Sequence, residues 1–212
     1  MIGLCSGLAL RGCQPFAYTI ATFTAYRPFE HIRAEVCYQN LPVTIVGMGA
    51  GMTYGTLGGT HHSQEDIGIM GSLPNMSILA PCDPAETLEA TWASARHDGP
   101  MYLRIGKAGE PDFTSQAVDP FEFGKLRTLK EGSDVCILSY GPIMRRVFEV
   151  VEKLENQGVS VAVESVHTIK PLDKAGVEDV LNQFETVAVI EEHSVLNGLG
   201  MHVKQLAWDC GA

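Results

Sequence analysis

The sequence lacks a C-x-x-C pair, a cluster of Lys and Arg, an H-E-x-x-H and a G-x-G-x-x-G, and each absence removes a class of function. Its six cysteines (Cys5, Cys13, Cys37, Cys82, Cys136, Cys210) are scattered, which excludes zinc-finger and thioredoxin-like spacings. Most sit in apolar company and read as free thiols in a reducing compartment. The formal net charge is −10, and no stretch concentrates cations, so nucleic acid is not an expected partner. One or two arginines would still suffice to hold a single phosphate. No run reaches the roughly 18 apolar residues of a membrane helix, and no membrane partner is expected. The opening "MIGLCSGLAL" has no basic segment before it and is interrupted by two glycines, unlike a signal peptide. The expected location is cytoplasmic. Internal repeats and low-complexity tracts are also missing.

What the chain does have is alternation. Apolar runs and helical patterns succeed one another from end to end, which points to an α/β fold with mainly parallel sheets and flanking helices. In "CDPAETLEATWASARHDGP", Asp83 is the expected N-cap, Pro84 the first helical residue and Glu86 the partner three residues on. Leu88, Trp92 and Ala95 then fall at helical spacing, and Gly99-Pro100 ends the helix before the strand-like "MYLRI". "DVCILSYGPIMRRVFEVVEKLENQGVSVAV" predicts a βαβ unit with a right-handed crossover, its helix burying Ile143, Val147, Val150, Val151 and Leu154. "VAVIEEH" and "NGLGMHVKQLAW" supply a further strand and helix. A polar tract rich in Gly and Pro predicts two domains, residues 1–106 and 121–212, joined by a linker at 107–120.

Several residues invite chemistry. "GMGAGMTYG" fails the dinucleotide fingerprint in spacing, and Gly and Thr rather than a helix come after it, so it reads as a tight loop after the strand "VTIVG". "GTLGGTHHSQED" places His61 and His62 beside acidic residues. His62-x-x-Glu65 has a ligand-like offset without a second histidine, while Ser63 and Asp66 suggest a capping box opening a helix. Three readings stay open for the pair: a metal site, a structural loop, or a histidine poised before a helix to exchange hydrogen bonds or protons with an oxygenated substrate. In "ATFTAYRPFEHIRAE", Phe23 and Tyr26 precede a helix that begins near Pro28 and carries Phe29, Ile32 and Val36 on one face; core packing alone would account for both aromatics. Arg104 ends the strand "MYLRI", either as a surface ion-pair partner or as an anion anchor at a strand's carboxyl end.

In order and spacing, "MIGLCSGLALRG", "ATFTAYRPFEHIR", "LPVTIVG", "GTLGGTHHSQEDIGIM", "PNMSILAPCDPAET", "GPMYLRIGK", "HTIKPLD" and "IEEHSVLNGLG" resemble the pyrimidine-binding and C-terminal regions of transketolases. The resemblance covers nearly the whole chain and is nearest to the C-terminal subunit of transketolases encoded as two subunits. It implies transfer of a two-carbon ketol unit between sugar phosphates, with thiamine diphosphate carrying the chemistry. It also implies that Phe23 stacks on the aminopyrimidine, Tyr26 lines the same pocket, and His61 contacts the reacting oxygens. His62 is a candidate for a further substrate contact, and the resemblance implies that Arg104 grips the substrate phosphate. No metal is expected on this chain. Mg²⁺ belongs to a diphosphate-binding partner subunit or missing domain, and a homo- or hetero-oligomer, such as the family's dimer, is implied.

Two departures bear on activity. Where the family commonly has an Asp four residues before its histidine, this chain has Leu57, which leaves sugar preference open. The glutamate that protonates the aminopyrimidine would fall just upstream of Met1, and losing such a proton donor costs roughly 10²- to 10⁴-fold. The chain is therefore expected to be truncated at both ends, poorly soluble through an exposed sheet edge, and inactive alone. Alternatives are a related thiamine enzyme (a deoxyxylulose-phosphate synthase or a 2-oxoacid dehydrogenase β subunit) and a non-catalytic remnant or assembly subunit.

Overall fold

The structure is a computed structural model that describes residues 1–115 and 117–211. Gln116, within the expected linker, and Ala212, at the end of the second expected domain, lie outside the described residues. In chain order the strands are β1 (Phe16–Ile20), β2 (Thr44–Met48), β3 (Ser77–Leu79), β4 (Met101–Ile105), β5 (Arg127–Lys130), β6 (Val135–Ser139), β7 (Val161–Ser165), β8 (Thr168–Lys170) and β9 (Thr186–Ile190). The helices are α1 (Ile2–Ala9), α2 (Ala21–Ala25), α3 (Phe29–His31), α4 (Asp66–Gly71), α5 (Pro84–Ser94), α6 (Met144–Glu155), α7 (Lys174–Gln183) and α8 (Leu199–Cys210). The α/β expectation is met: two sheets form, ordered β1-β2-β4-β3-β8 and β5-β7-β6-β9, and every pairing is parallel except β3 with β8 and β5 with β7.

The central strands "TIVGM" and "MYLRI" are near-continuous apolar runs, as strands covered on both faces must be. The first sheet is completed by the second half of the chain, through Ile78 opposite Lys170 and Leu79 opposite Thr168. One apolar cluster likewise joins Ile45, Ile67 and Tyr102 to Leu138, Tyr140, Val166 and Leu199. Segments 1–106 and 121–212 therefore share a core. The tract between them has neither strand nor helix among its described residues, yet it is tied down. Asp83 Oδ2 accepts from the Phe113 and Thr114 amides at 2.7 and 2.8 Å, and the Phe113 ring stacks on Phe148 of α6 at 4.8 Å.

Three local expectations change. In α5 the Asp83 cap and Pro84 start are present, with the Glu86 amide donating to Asp83 Oδ1 at 2.7 Å. Leu88 and Trp92, however, are 62% and 58% exposed, and Glu86, Ala90 and Ser94 face inward instead. The inner side of α5 meets a buried polar cluster, where Glu86 receives the Cys82 amide and Ser165 hydroxyl and lies 3.6 Å from Arg127. In α6, Met144, Val147 and Val151 form the buried stripe, while Val150 is 38% exposed. A rotation of about 100° per residue carries Val150 past the edge of that stripe. The helix expected after Pro28 is α3 continuing into a π-helical stretch, Ile32–Cys37, with Ile32 and Val36 buried.

Candidate active site

The site is built on the loop after β2. Gly49 and Gly51 adopt φ of 73° and 64°, a conformation that other residues resist, and they turn the chain sharply. The loop then closes on itself: Gly51 and Ser63 exchange backbone hydrogen bonds at 2.9 and 3.1 Å. The histidines lie on the returning arm. Along that arm runs α2, held by three contacts in register. Thr22 Oγ1 donates to the Thr60 carbonyl at 3.1 Å. The Phe23 ring sits 5.5 Å from the His61 ring at 59°. The Tyr26 hydroxyl donates to the Glu65 carboxylate at 2.9 Å and lies 3.4 Å from Ser63 Oγ. Burial, reinforced by Asp66 and opposed by the Ser63 hydrogen bond, pushes the Tyr26 phenol up to about 12, so it remains a donor at neutral pH.

His61 is half-buried between Phe23 and Tyr54, the latter edge-on at 6.0 Å, and its Nδ1 lies 2.9 Å from Thr60 Oγ1. His62 turns back onto its own loop, where Nε2 donates to the Gly55 carbonyl at 3.3 Å. The two imidazoles thus serve different neighbours. Among the described residues, no group of three or more His, Cys, Asp or Glu side chains could hold a metal ion. Leu57 is exposed on the short turn Gly55–Leu57.

Phe23 opens onto a cavity of about 370 Å³ that it shares with Met1, Gly3, Arg27, His31 and Glu35. This is the size of a small-molecule cleft. The Arg27 guanidinium lies 4.2 Å from the centroid of the Phe23 ring, a cation–π contact on one of its faces. Glu35 contributes an unpartnered acceptor: Oε1 is held by His31 Nδ1 at 2.6 Å, while Oε2 is buried with no partner among the described residues. An aromatic face for stacking and an unsatisfied acceptor for an N–H are two features that an aminopyrimidine can use, so these residues fit that group.

Arg104 departs from its sequence reading. It is 1% exposed and faces inward, with Nε donating to Asp66 Oδ2 at 2.9 Å and Nη2 to the carbonyls of Ser63 and Glu192, each at 3.1 Å. Tyr102 donates to the same Asp66 oxygen at 2.8 Å. Burial works against the charged guanidinium, but Asp66, Tyr140 and Tyr102 together outweigh it and the net shift is upward. A guanidinium so engaged ties β4 to the histidine loop, and no anion reaches it from solvent in this geometry. The capping-box expectation is corrected as well. Ser63 is drawn to Tyr26, Asp66 is consumed by Arg104 and Tyr102, and α4 begins after Glu65 without any side-chain cap from that residue.

Glu192 and His193 lie within "IEEHSVLNGLG", yet residue order alone gives neither a role. Glu192 accepts the Met52 amide at 3.3 Å, and His193 accepts the Gly68 amide at 3.2 Å. Their position just past the carboxyl end of β9, where α/β sheets gather functional groups, was the available signal.

Comparison with known proteins supplies the family. The model for the transketolase pyrimidine binding domain matches residues 1–109, and that for the transketolase C-terminal domain matches residues 124–210. A 6-deoxy-6-sulfo-D-fructose transketolase subunit of Clostridium sp. (strain MSTE9) is 36% identical over 200 residues, covering 94% of this chain and 62% of that protein. An apulose-4-phosphate transketolase subunit of Phocaeicola vulgatus is 32% identical over 201 residues, covering 94% and 64%. The chain thus spans less than two thirds of the length of these relatives. A solved structure described as a split gene transketolase, inactive β4 tetramer, superposes with a TM-score of 0.88 at 35% identity over 98% of this chain and 67% of that one. With its two sheets, its histidine loop and its matches at both ends, the chain belongs to the transketolase family, of which it carries the pyrimidine-binding and C-terminal domains.

Proposed function

We propose that this chain forms the pyrimidine-side wall of a thiamine diphosphate-dependent enzyme that transfers a two-carbon ketol unit between sugar phosphates. The observation that supports this most is the meeting of Phe23 and His61 at 5.5 Å beside the cavity containing Glu35. When bound, the cofactor supplies a carbon nucleophile and an electron sink. The chain's own residues hold and orient. Phe23 offers a flat face, and offset stacking contributes roughly 1 kcal/mol beyond burial while setting the ring's angle. Glu35 Oε2 accepts an N–H. Tyr26, kept protonated, braces α2 against the histidine loop. His61, with one nitrogen at Thr60, keeps the other for a sugar oxygen, where it donates or accepts a proton. Arg104 acts from behind by fixing the loop that bears His61.

The relatives include a 6-deoxy-6-sulfo-D-fructose transketolase subunit and an apulose-4-phosphate transketolase subunit, which supports a sugar bearing an anionic group as the substrate. The solved relative made of β chains is described as inactive. By extension, this chain needs a diphosphate-binding subunit that supplies Mg²⁺, and it works as an oligomer. The test is to mix the chain with such a subunit, thiamine diphosphate, Mg²⁺ and xylulose 5-phosphate, and to measure ketol transfer to an aldose phosphate. Transfer that depends on both subunits is expected. No transfer at any subunit ratio, from a mixture in which the subunits demonstrably associate, overturns the reading.

A further inference from the structure

We propose that His193 is a positioning residue: reaching across from the second half of the chain, it caps helix α4 and so holds the loop that carries His61. The first amides of any helix have no partner within it, and the residue preceding the helix normally supplies one. In α4 that residue, Glu65, makes no such bond. The third amide of the helix, Gly68 N–H, donates instead to His193 Nε2 at 3.2 Å, from 125 residues away. His193 Nδ1 lies 2.8 Å from the Ser194 carbonyl. An amide only donates and a carbonyl only accepts, so both contacts are satisfied by one species alone, the neutral imidazole with its proton on Nδ1.

The neighbours of His193 make the contact a clasp. Ser194 N–H donates to the Gln64 carbonyl at 2.7 Å, the Glu192 carbonyl receives Arg104 Nη2, and the Glu192 carboxylate receives the Met52 amide. Three successive residues therefore bind both arms of the histidine loop, the start of α4 and the arginine behind it. Gly68 permits the approach, because a Cβ there would meet Asn197 Cβ at 3.1 Å and the Leu196 carbonyl at 3.4 Å. The clasp explains why the sequence around Ser63 and Asp66 resembles a capping box without forming one. Those side chains are spent on the site, and the cap comes from the far half of the chain.

The consequence for His61 rests on the proposed ketol transfer, whereas the contact itself does not, so it is tested without cofactor or sugar. In the full chain with ¹⁵N-labelled histidine, the ring nitrogens of His193 at neutral pH are expected to show the Nδ1–H tautomer. His193→Ala is expected to speed amide exchange at Gly68 and across residues 63–69 by roughly two- to tenfold, the loss of about one hydrogen bond, with β2 and β4 unchanged. His193→Gln, whose Oε1 reaches the same amide, restores protection. An Nε2–H tautomer in the unsubstituted chain, exchange in His193→Ala equal to the parent, or no rescue by glutamine would each overturn the proposal. A chain that fails the ketol-transfer assay can still pass all three measurements.

Discussion

Asp66 and Arg104 are 0% and 1% exposed, and neither charge could be buried without the other. Arg104→Ala leaves the Asp66 carboxylate with only the Tyr102 hydroxyl, and about 3–5 kcal/mol of stability is expected to be lost in urea unfolding. Arg104→Met with Asp66→Asn, which removes both charges and keeps the volume, is expected to cost much less. A surface arginine kept only for a substrate phosphate would show no stability effect in either variant. Phe23 makes the opposite prediction. It is half-buried at the cavity rim, so Phe23→Leu should leave the urea midpoint nearly unchanged. Loss of roughly 1 kcal/mol of stacking should weaken thiamine diphosphate binding about fivefold in the assembled enzyme, measured by titrating the cofactor into activity.

Among the elements, α5 shows how a helix's ends and faces are set by different forces. Its start is local: Asp83 and Pro84 provide a cap and a preset φ, and both act as the sequence predicts. Its inward face is not local, because the polar cluster of Glu86, Arg127 and Ser165 draws that side and leaves Leu88 and Trp92 outside. Asp83 also serves the tract after β4. It accepts from the Glu86, Phe113 and Thr114 amides and from Thr114 Oγ1. Asp83→Ala is therefore expected to cost roughly 2–4 kcal/mol, more than a helix cap alone, because it orphans buried donors as well. Hydrogen exchange should show the loss at residues 113–114 together with the first turn of α5. A loss confined to α5 would contradict a role for Asp83 in holding the tract.

For the whole molecule, the shared apolar cluster and the strand β8 donated to the first sheet join the two halves. Calorimetry is expected to show one cooperative transition, with calorimetric and van't Hoff enthalpies equal, rather than one for each half. Stability should also carry a specific pH signature. Glu164, buried on β7 beside Thr128, has its carboxyl pushed from 4.5 up to about 7, chiefly by burial. Because the folded state holds this proton more tightly, the contribution is full below about 4.5 and is lost as pH rises to about 7. Glu164→Gln removes the effect. Its stability relative to the parent is expected to rise by roughly 3 kcal/mol between pH 4 and pH 8, read from urea midpoints. A difference that stays constant with pH would refute the assignment. His167, held down to about 3 by burial with Arg127 adding to it, acts in the opposite direction in both proteins and cancels from the comparison.

Much of this was legible from residue order. Apolar period, turn glycines and the Asp83-Pro84 start reveal the α/β layout, and the succession of motifs from "ATFTAYRPFEHIR" to "IEEHSVLNGLG" reveals the family, because these signals depend on near neighbours or on order along the chain. The meeting of Phe23 with His61 could be expected only through that family likeness. The inward turn of Arg104, the outward face of α5 and the His193 cap were not legible. Each depends on which side chain arrives from 38 to 125 residues away in a low-dielectric interior, where an unpaired donor or charge costs more than any local preference can offset.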